Sequence, residues 1–445
     1  MTYPEAVRYL DSCIDYEQIT AYHYRESFGL ARFKNFLNAL GNPQKRLNCI
    51  QVAGTKGKGS TCAFIAYILK ESGFKVGMYT SPHLADFRER IRILRPSAGY
   101  KARRQCEFEG MIPKAQLSRL VGKLKPAIEK FNQTCRGGAL SFFEAFTALA
   151  FLHFKQEGVD FAVLETGLGG RLDATNAVDS LVCTISPIGY DHTQQLGRSL
   201  TRIAREKAGI IKRGCRFVVS APQEKDVLRV LRDKCSSQGA RLFLVGKDIK
   251  WRRENGGFAL DGIGVRFPKL KTTLIGEHQM VNAAAAVGTI EALRNYDLEI
   301  GPESIKKGIF RTHWPGRCEV IQRRPLVVLD GAQTANSAAA LSKTIKENFK
   351  YRKLFLVFGI SADKDIEGVA KHLAGLADRV ILTKADTPRA AEPAKLAKYF
   401  DSSGVLEQAA SVEEARAKAL GLAGKQDLIL VTGSLYVVGE FRRCH

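Results

Sequence analysis

The chain has 445 residues, 45% hydrophobic and 25% charged, and its 68 lysines and arginines against 45 acidic residues give a net charge of +23. That length exceeds what one hydrophobic core fills, so two or three domains are expected. No apolar run reaches the roughly 18 residues of a membrane-spanning helix, and an N-terminus with early acidic residues and no continuous apolar stretch is no signal peptide. The expectation is a globular, cytoplasmic protein without a membrane or nucleic-acid partner. Ten cysteines without C-x-x-C spacing argue for reduced thiols and against a zinc site. Basic clusters at 101–104, 247–253 and 442–443 are short, so most of the charge reads as a solvated surface. A subset could attract anionic small molecules.

Residues 1–47 read as helical, with Phe28, Leu30, Phe33, Phe36, Leu37 and Leu40 at amphipathic spacing before Gly41 and Pro43. Residues 48–52 form a buried strand that runs into GTKGKGST at 54–61, and Phe64, Ile65, Ile68 and Leu69 mark a helix opening near Lys58. In this loop Gly54, Gly57 and Gly59 let backbone N–H groups converge on an anion at the positive end of a helix. Lys58 is the residue to meet β- and γ-phosphates, and Ser60 or Thr61 to face phosphate or magnesium. The match to G-x-x-x-x-G-K-[ST] is imperfect, because Val52 replaces the first glycine and Gly59 follows the lysine. A plain glycine turn with solvated lysines is the competing reading.

A second strand at 75–80 leads to TSPHL, which turns at Pro82, and a third is expected at 88–94 before a basic irregular loop at 96–106. After a helix at 113–132, Ser141 and Glu144 have capping-box spacing ahead of the apolar run from Phe146 to Phe154, and capping alone would account for Glu144. A buried strand at 160–165 delivers Glu165 to its C-terminal end before TGLGGRLDATN, and a strand at 180–185 runs into SPIGYDHTQQLG. Ligands bind at the carboxyl ends of strands in open parallel sheets. The loop at 54–60, Glu165, and Asp191 with His192 are therefore expected near one another.

Beyond these lie a helix at 202–212, a strand at 216–220, a helix at 227–238, a strand at 241–245, a hairpin at 251–267 and an alanine-rich helix at 279–294. Residues 295–316, with Pro302 and Trp314-Pro315-Gly316, read as a linker. Strands at 326–329, 354–358, 380–383 and 428–432 then alternate with helices. The expected fold class is α/β. A P-loop-type ATPase domain with a mostly parallel sheet covers 1–297, and a smaller Rossmann-like α/β domain covers 298–445, with a cleft between them.

The motifs GTKGKGS at 54–60, YTSPHL at 79–84, SFFEAF at 141–146, ETGLGGRLDATN at 165–176, DHTQQLG at 191–197, EKAGIIK at 206–212, WPGR at 314–317, LDGAQTANS at 329–337 and TGSLYVVGE at 432–440 occur in order along nearly the whole chain. Together they resemble the folylpolyglutamate synthase and dihydrofolate synthase family of Mur-type ATP-dependent amide ligases, in its bacterial two-activity form. The resemblance implies that Gly54, Thr55, Lys56, Gly57, Lys58, Gly59 and Ser60 hold ATP phosphates, with Asn282, Arg317 and Asp330 contacting the nucleotide. It implies magnesium at Ser81, Glu165 and His192, and a carbamylated Lys207 at a second metal, with room for a monovalent cation. Lys58, Lys207 and His192 are the implied catalytic residues; chemistry alone would not choose a histidine for magnesium. Ser141, Phe142, Phe143 and Glu144, with Arg171, Leu172 and Asp173, match segments that approach the pterin substrate. Many relatives carry histidine where Gln333 stands, so acid/base duty there is in doubt.

The implied reaction joins L-glutamate to dihydropteroate, and to tetrahydrofolate or its polyglutamates, in a monomeric enzyme. The pterin carboxylate attacks the γ-phosphate of ATP, helped by magnesium and Lys58, and the amine of glutamate then attacks the acyl phosphate. Rival readings are a single-activity enzyme, a peptidoglycan-precursor ligase, and a basic P-loop nucleic-acid-binding ATPase. The second would normally carry a separate N-terminal domain, yet the phosphate loop begins after 53 residues. The third leaves Glu165, His192 and the second α/β domain without a role.

Overall fold

In this computed structural model the described residues are all but 20, 21, 23, 97–107, 136, 401–403, 444 and 445; of 25 and 26 only the backbone is described. Most of the basic loop expected at 96–106, including the cluster at 101–104, lies outside them. The chain divides into two compact units, one made of 1–83, 87–273 and 279–312, the other of 84–86, 274–278 and 313–445.

The first unit is built on a seven-stranded sheet of β1 (Cys49–Ala53), β2 (Val76–Tyr79), β3 (Ile91–Leu94), β4 (Phe161–Glu165), β5 (Ser180–Ile185), β6 (Phe217–Ser220) and β7 (Arg241–Leu244). Their order is β3-β2-β4-β1-β5-β6-β7. All neighbours are parallel except β3, which runs antiparallel to β2. The central strands are buried along their whole length, which is why they read as continuous apolar runs rather than alternating ones. Register fixes the site: Val52 pairs with both Glu165 and Thr184, and Tyr79 pairs with Leu164. The chain therefore leaves β2, β4, β1 and β5 side by side at one edge of the sheet.

Aromatic side chains of the helices Leu30–Ala39 and Phe142–Glu157, including Phe33, Phe36, Phe146 and Phe151, share one core cluster with Leu117 and Leu124 of Lys114–Thr134. Each such side chain contributes about 1.5–3 kcal/mol when fully buried. The capping box at Ser141 and Glu144 forms as expected, and Gly158 closes that helix with φ +59°.

Several expectations change. Among the described residues the N-terminal helical stretch holds the α-helices Tyr3–Asp11, Tyr24–Ser27 and Leu30–Ala39 and a short 3-10 helix, Pro43–Arg46. The helix expected to reach 212 ends at Ala208, with Gly209 as its cap. The hairpin is two-thirds of an antiparallel meander, β8 (Lys250–Glu254), β9 (Gly257–Asp261) and β10 (Arg266–Leu270). The linker holds a helix, Pro302–Arg311, packed on Lys58–Glu71 so closely that a Cβ on Gly308 would lie 2.4 Å from Ile68 Cα. Proline at its first turn is tolerated because that N–H has no helical acceptor.

The second unit carries a six-stranded sheet of β11 (Glu319–Arg323), β12 (Leu326–Leu329), β13 (Leu354–Phe358), β14 (Arg379–Leu382), β15 (Val405–Gln408) and β16 (Leu428–Thr432), ordered β11-β12-β16-β13-β14-β15. Only β11 is antiparallel to its neighbour. The strands β11 and β15 were not expected; both are edge strands, half-exposed and without a long apolar run. Among the described residues no helix is long and apolar enough to cross a membrane.

Gly308→Ala should lower the unfolding free energy from urea titration by about 1–3 kcal/mol, the usual cost of overpacking, and so shift the midpoint down. An unchanged midpoint would show that the two helices separate without cost.

Candidate active site

The loop after β1 is shaped by contacts on its backbone. Gly54 has φ +149°, and a Cβ there would lie 1.9 Å from Ser186 Oγ. Thr55 and Lys56 donate their N–H groups to Pro187 O at 2.9 and 3.2 Å, and Thr55 Oγ1 sits 3.1 Å from Gly189 O. The loop is thus fastened to the segment following β5. Gly57 starts the helix Lys58–Glu71 with φ +81°, and a Cβ there would lie 2.4 Å from Asn282 Oδ1. Asn282 is held by its own bond to Gln279 Oε1 at 3.0 Å, so the loop and the helix Glu277–Leu293 meet at a position only glycine fits.

Charge gathers at the same edge. Lys56 Nζ pairs with Asp191 Oδ2 at 2.9 Å, and Lys58 Nζ lies 3.9 Å from Glu165 Oε1. Glu165 is buried at the end of β4, and its other oxygen accepts from Ser81 N at 3.2 Å. Lys207 Nζ donates to Gly54 O at 2.7 Å. Burial first, then the neighbouring Lys58 and Lys56, hold the Lys207 amine down to about 7, although Asp191 and Asp173 oppose this. An amine so depressed is substantially neutral near pH 7 and is a nucleophile there.

The expected metal residues are thus placed unequally. Ser81 and Glu165 meet; His192, with φ +49°, is partly exposed and lies beside Asp191, with Nε2 3.9 Å from Oδ1. Among the described residues no three His, Cys, Asp or Glu side chains surround one cation position. A buried carboxylate and a serine hydroxyl still fit magnesium, which keeps several waters and completes its shell with substrate phosphates.

Of the expected substrate residues, Ser141, Phe142, Phe143, Glu144 and Asp173 are buried within the protein. Glu144 accepts from Ser141 N at 2.8 Å and forms a fork with Arg32 Nη2, 2.8 Å from each oxygen. Arg32 was not singled out in the sequence; it is one arginine on a helix whose partner lies 112 positions away. Asp173 is fully buried and accepts from Leu168 N, Thr175 N and Thr175 Oγ1 at 2.9, 2.9 and 2.6 Å. Burial raises its carboxyl to about 6 against those bonds. Leu172, by contrast, is partly exposed and Arg171 is exposed. Arg171 pairs with Glu206, and a Cβ on Gly170 would lie 2.9 Å from Lys207 O, so the GGRLD turn is stacked on the end of the helix carrying Lys207.

In the second unit Asp330 follows β12 and accepts from Cys318 N at 2.8 Å and Ala332 N at 2.9 Å. Arg317 lies over Gly331, where a Cβ would be 2.9 Å from Nη1. Gln333 donates its N–H to Ser337 Oγ at 3.2 Å, in the turn that Thr334 caps.

The glutamate ligase domain of Mur ligases matches residues 316–435. Over 434 residues, 93% of this chain and 94% of the relative, the sequence is 34% identical to the dihydrofolate synthase/folylpolyglutamate synthase of Bacillus subtilis. The chain belongs to this family of ATP-dependent ligases. Escherichia coli FolC in complex with DHPP and ADP superposes with a TM-score of 0.84 at 28% identity, covering 100% of this chain and 97% of that one. A bifunctional folylpolyglutamate synthase/dihydrofolate synthase with Mn, AMPPNP and L-glutamate bound gives 0.83 at 28% identity, covering 100% and 98%.

Gly57→Ala should weaken ADP binding at least about tenfold by calorimetry, because it combines strain at positive φ with a clash at Asn282. Undiminished affinity would remove this loop as the phosphate cradle.

Proposed function

We propose that this ligase adds L-glutamate to dihydropteroate and also to tetrahydrofolate or its polyglutamates, through an acyl phosphate. The observation that carries the proposal is the edge of the first sheet, where Lys56, Lys58 and Lys207 converge with Glu165 and Asp191 around a glycine loop at a helix N-terminus. Lys56 and Lys58, each paired with one carboxylate, and the N–H groups of a glycine loop at a helix N-terminus support the binding of a polyanion that takes the place of those carboxylates. Lys58, on the first turn of its helix, is placed to leave Glu165 and meet the γ-phosphate, while loop N–H groups hold the remaining oxygens. Magnesium, held by Glu165 and Ser81 with His192 nearby, would supply charge withdrawal from the phosphates when bound. Arg317 and Asp330 are assigned to nucleotide contact.

The acceptor is assigned to the segment 141–144 and the turn 171–173. The exposed Arg171 and the partly exposed Leu172 support direct contact there. The buried Ser141, Phe142, Glu144 and Asp173 support a shaping role instead. The proposal further includes a monomer in the cytoplasm, small-molecule partners only and an optional monovalent cation. The amide of Gln333 supplies hydrogen bonding without titration.

Purified protein given labelled L-glutamate, ATP and magnesium should form product with both dihydropteroate and tetrahydrofolate. Product from one acceptor alone would reduce the enzyme to a single activity, and product from neither would overturn the substrate assignment.

Carbamylation of Lys207 has its own readout. A neutral amine is the reactive form, and its population rises as pH passes upward through about 7. At fixed dissolved labelled carbon dioxide, a carbamate carbon-13 signal should grow from below to above that pH, and be absent in Lys207→Arg. A signal that persists in Lys207→Arg would place the carbamate elsewhere.

A further inference from the structure

We infer that Arg90 is a positioning residue for the reaction proposed above: it fixes the loop that carries Ser81 to the helix that carries Phe142 and Phe143. The inference rests on that reading of the site. Arg90 is 1% exposed, an unusual place for a guanidinium, and ends the short turn Phe87–Arg90 that leads into β3. Every part of it is used. Its carbonyl accepts from Thr80 N at 3.1 Å, closing the base of the loop that follows β2. Its Nε donates to His83 Nδ1 at 3.0 Å, crossing the same loop from inside. Arginine can only donate, so His83 Nδ1 presents a lone pair, and the neutral ring carries its proton on Nε2.

The remaining donors leave the loop. Nη1 and Nη2 reach the two oxygens of Glu17 at 2.9 and 2.5 Å. The guanidinium lies 5.0 Å from the ring centroid of Phe142 and 5.6 Å from that of Phe146, both on the helix Phe142–Glu157. The Glu17 segment is itself joined to that helix, because Phe142 N donates to Ile14 O at 2.9 Å. One side chain therefore ties together the Ser81 loop, the N-terminal segment and the first turn of the helix assigned to the acceptor. From the other side Glu165 holds the loop through Ser81 N. Ser81 is thus set between Glu165 and Arg90, and its distance from the acceptor helix is governed by the latter.

Desolvating a guanidinium costs several kcal/mol before pairing. An apolar residue would fill the same volume, but it could not set three directions at once. Lysine would keep the charge yet lack the planar fork, so it could serve Glu17 or His83 but not both in this geometry. None of Arg90's recorded bonds or ring contacts involves the phosphate loop 54–61.

The test compares Arg90→Lys with wild type in thermal unfolding, metal-free ADP affinity, Mn2+ affinity in the ADP complex by electron paramagnetic resonance, and steady-state constants for ATP and acceptor. Misplacement by a fraction of an ångström to one ångström can cost about a hundredfold in rate. The expected result is a fall in kcat and a rise in acceptor KM of about tenfold each, and Mn2+ affinity about fivefold weaker, with ADP affinity and KM for ATP near wild type. Unchanged constants, or ADP affinity and unfolding midpoint falling as far as kcat, would overturn the inference and leave a purely structural residue. Should Arg90→Lys not fold, the pair Glu17→Gln with Arg90→Met, which removes both charges of the ion pair together, is read against the same outcomes. If wild type forms no product with either acceptor, the substrate reading has failed instead. The Mn2+ measurement, which needs no acceptor, then decides on Arg90.

Discussion

The contact of the loop at Gly54 with the segment after β5 is the constraint on which the rest of the site depends. With Ser186 Oγ standing 1.9 Å from where a Cβ would be, and Pro187 O accepting two loop N–H groups, the backbone has nowhere else to go. This contact is possible because β1 and β5 are parallel neighbours in register at Ala53 and Ile185. From it follow the start of the helix at Lys58, the approach of Asn282 to Gly57, and the seat of Lys207 on Gly54 O.

The electrostatics of the site follow from the same geometry. Burial first, and then the nearby charges of Lys58 and Lys56, disfavour protonation of Lys207, the most buried of the three. Glu165 and Asp191 partly balance them, each paired with one lysine. A polyanion entering here exchanges these pairs for phosphate contacts and does not face a bare desolvation cost. In the proposed reaction the amines are then held in place before charge develops on the transferring phosphoryl group, which is where fixed charge is most effective.

Around this edge lies a frame of buried polar groups. Arg32 with Glu144, Asp173 with its own turn, and Arg90 with Glu17 and His83 are hydrogen-bonded side chains that hold segments at fixed offsets. Apolar packing alone tolerates small slips, because it is not directional. A forked ion pair or a three-bond carboxylate does not. The segments assigned to the acceptor are the ones framed in this way.

Much was legible in the sequence. The continuous apolar runs of β1, β4 and β5 belong to strands buried on both faces, and the turns at their ends carry glycine and polar residues that no core would select. Ser141 and Glu144 are three residues apart, so their capping box is a local property, and it forms as read. By contrast, β11 and β15 are short, half-exposed edge strands defined by the neighbours they pair with. The helix Pro302–Arg311 was hidden by its flanking prolines and is stabilised against Lys58–Glu71.

By itself, then, the chain determined its α/β class, its family and the glycine loop proposed to meet phosphate, because these rest on residues close in sequence and on periods set by backbone geometry. Tertiary structure alone decided which charges meet: Lys58 with Glu165, Lys207 with Gly54, Arg32 with Glu144, Arg90 with Glu17 and His83. It also decided that Asp173 is turned inward while Arg171 is not. Apart from Arg90 with His83 and Asp173 with its own turn, these contacts join residues 73 to 153 positions apart, and no local pattern encodes that.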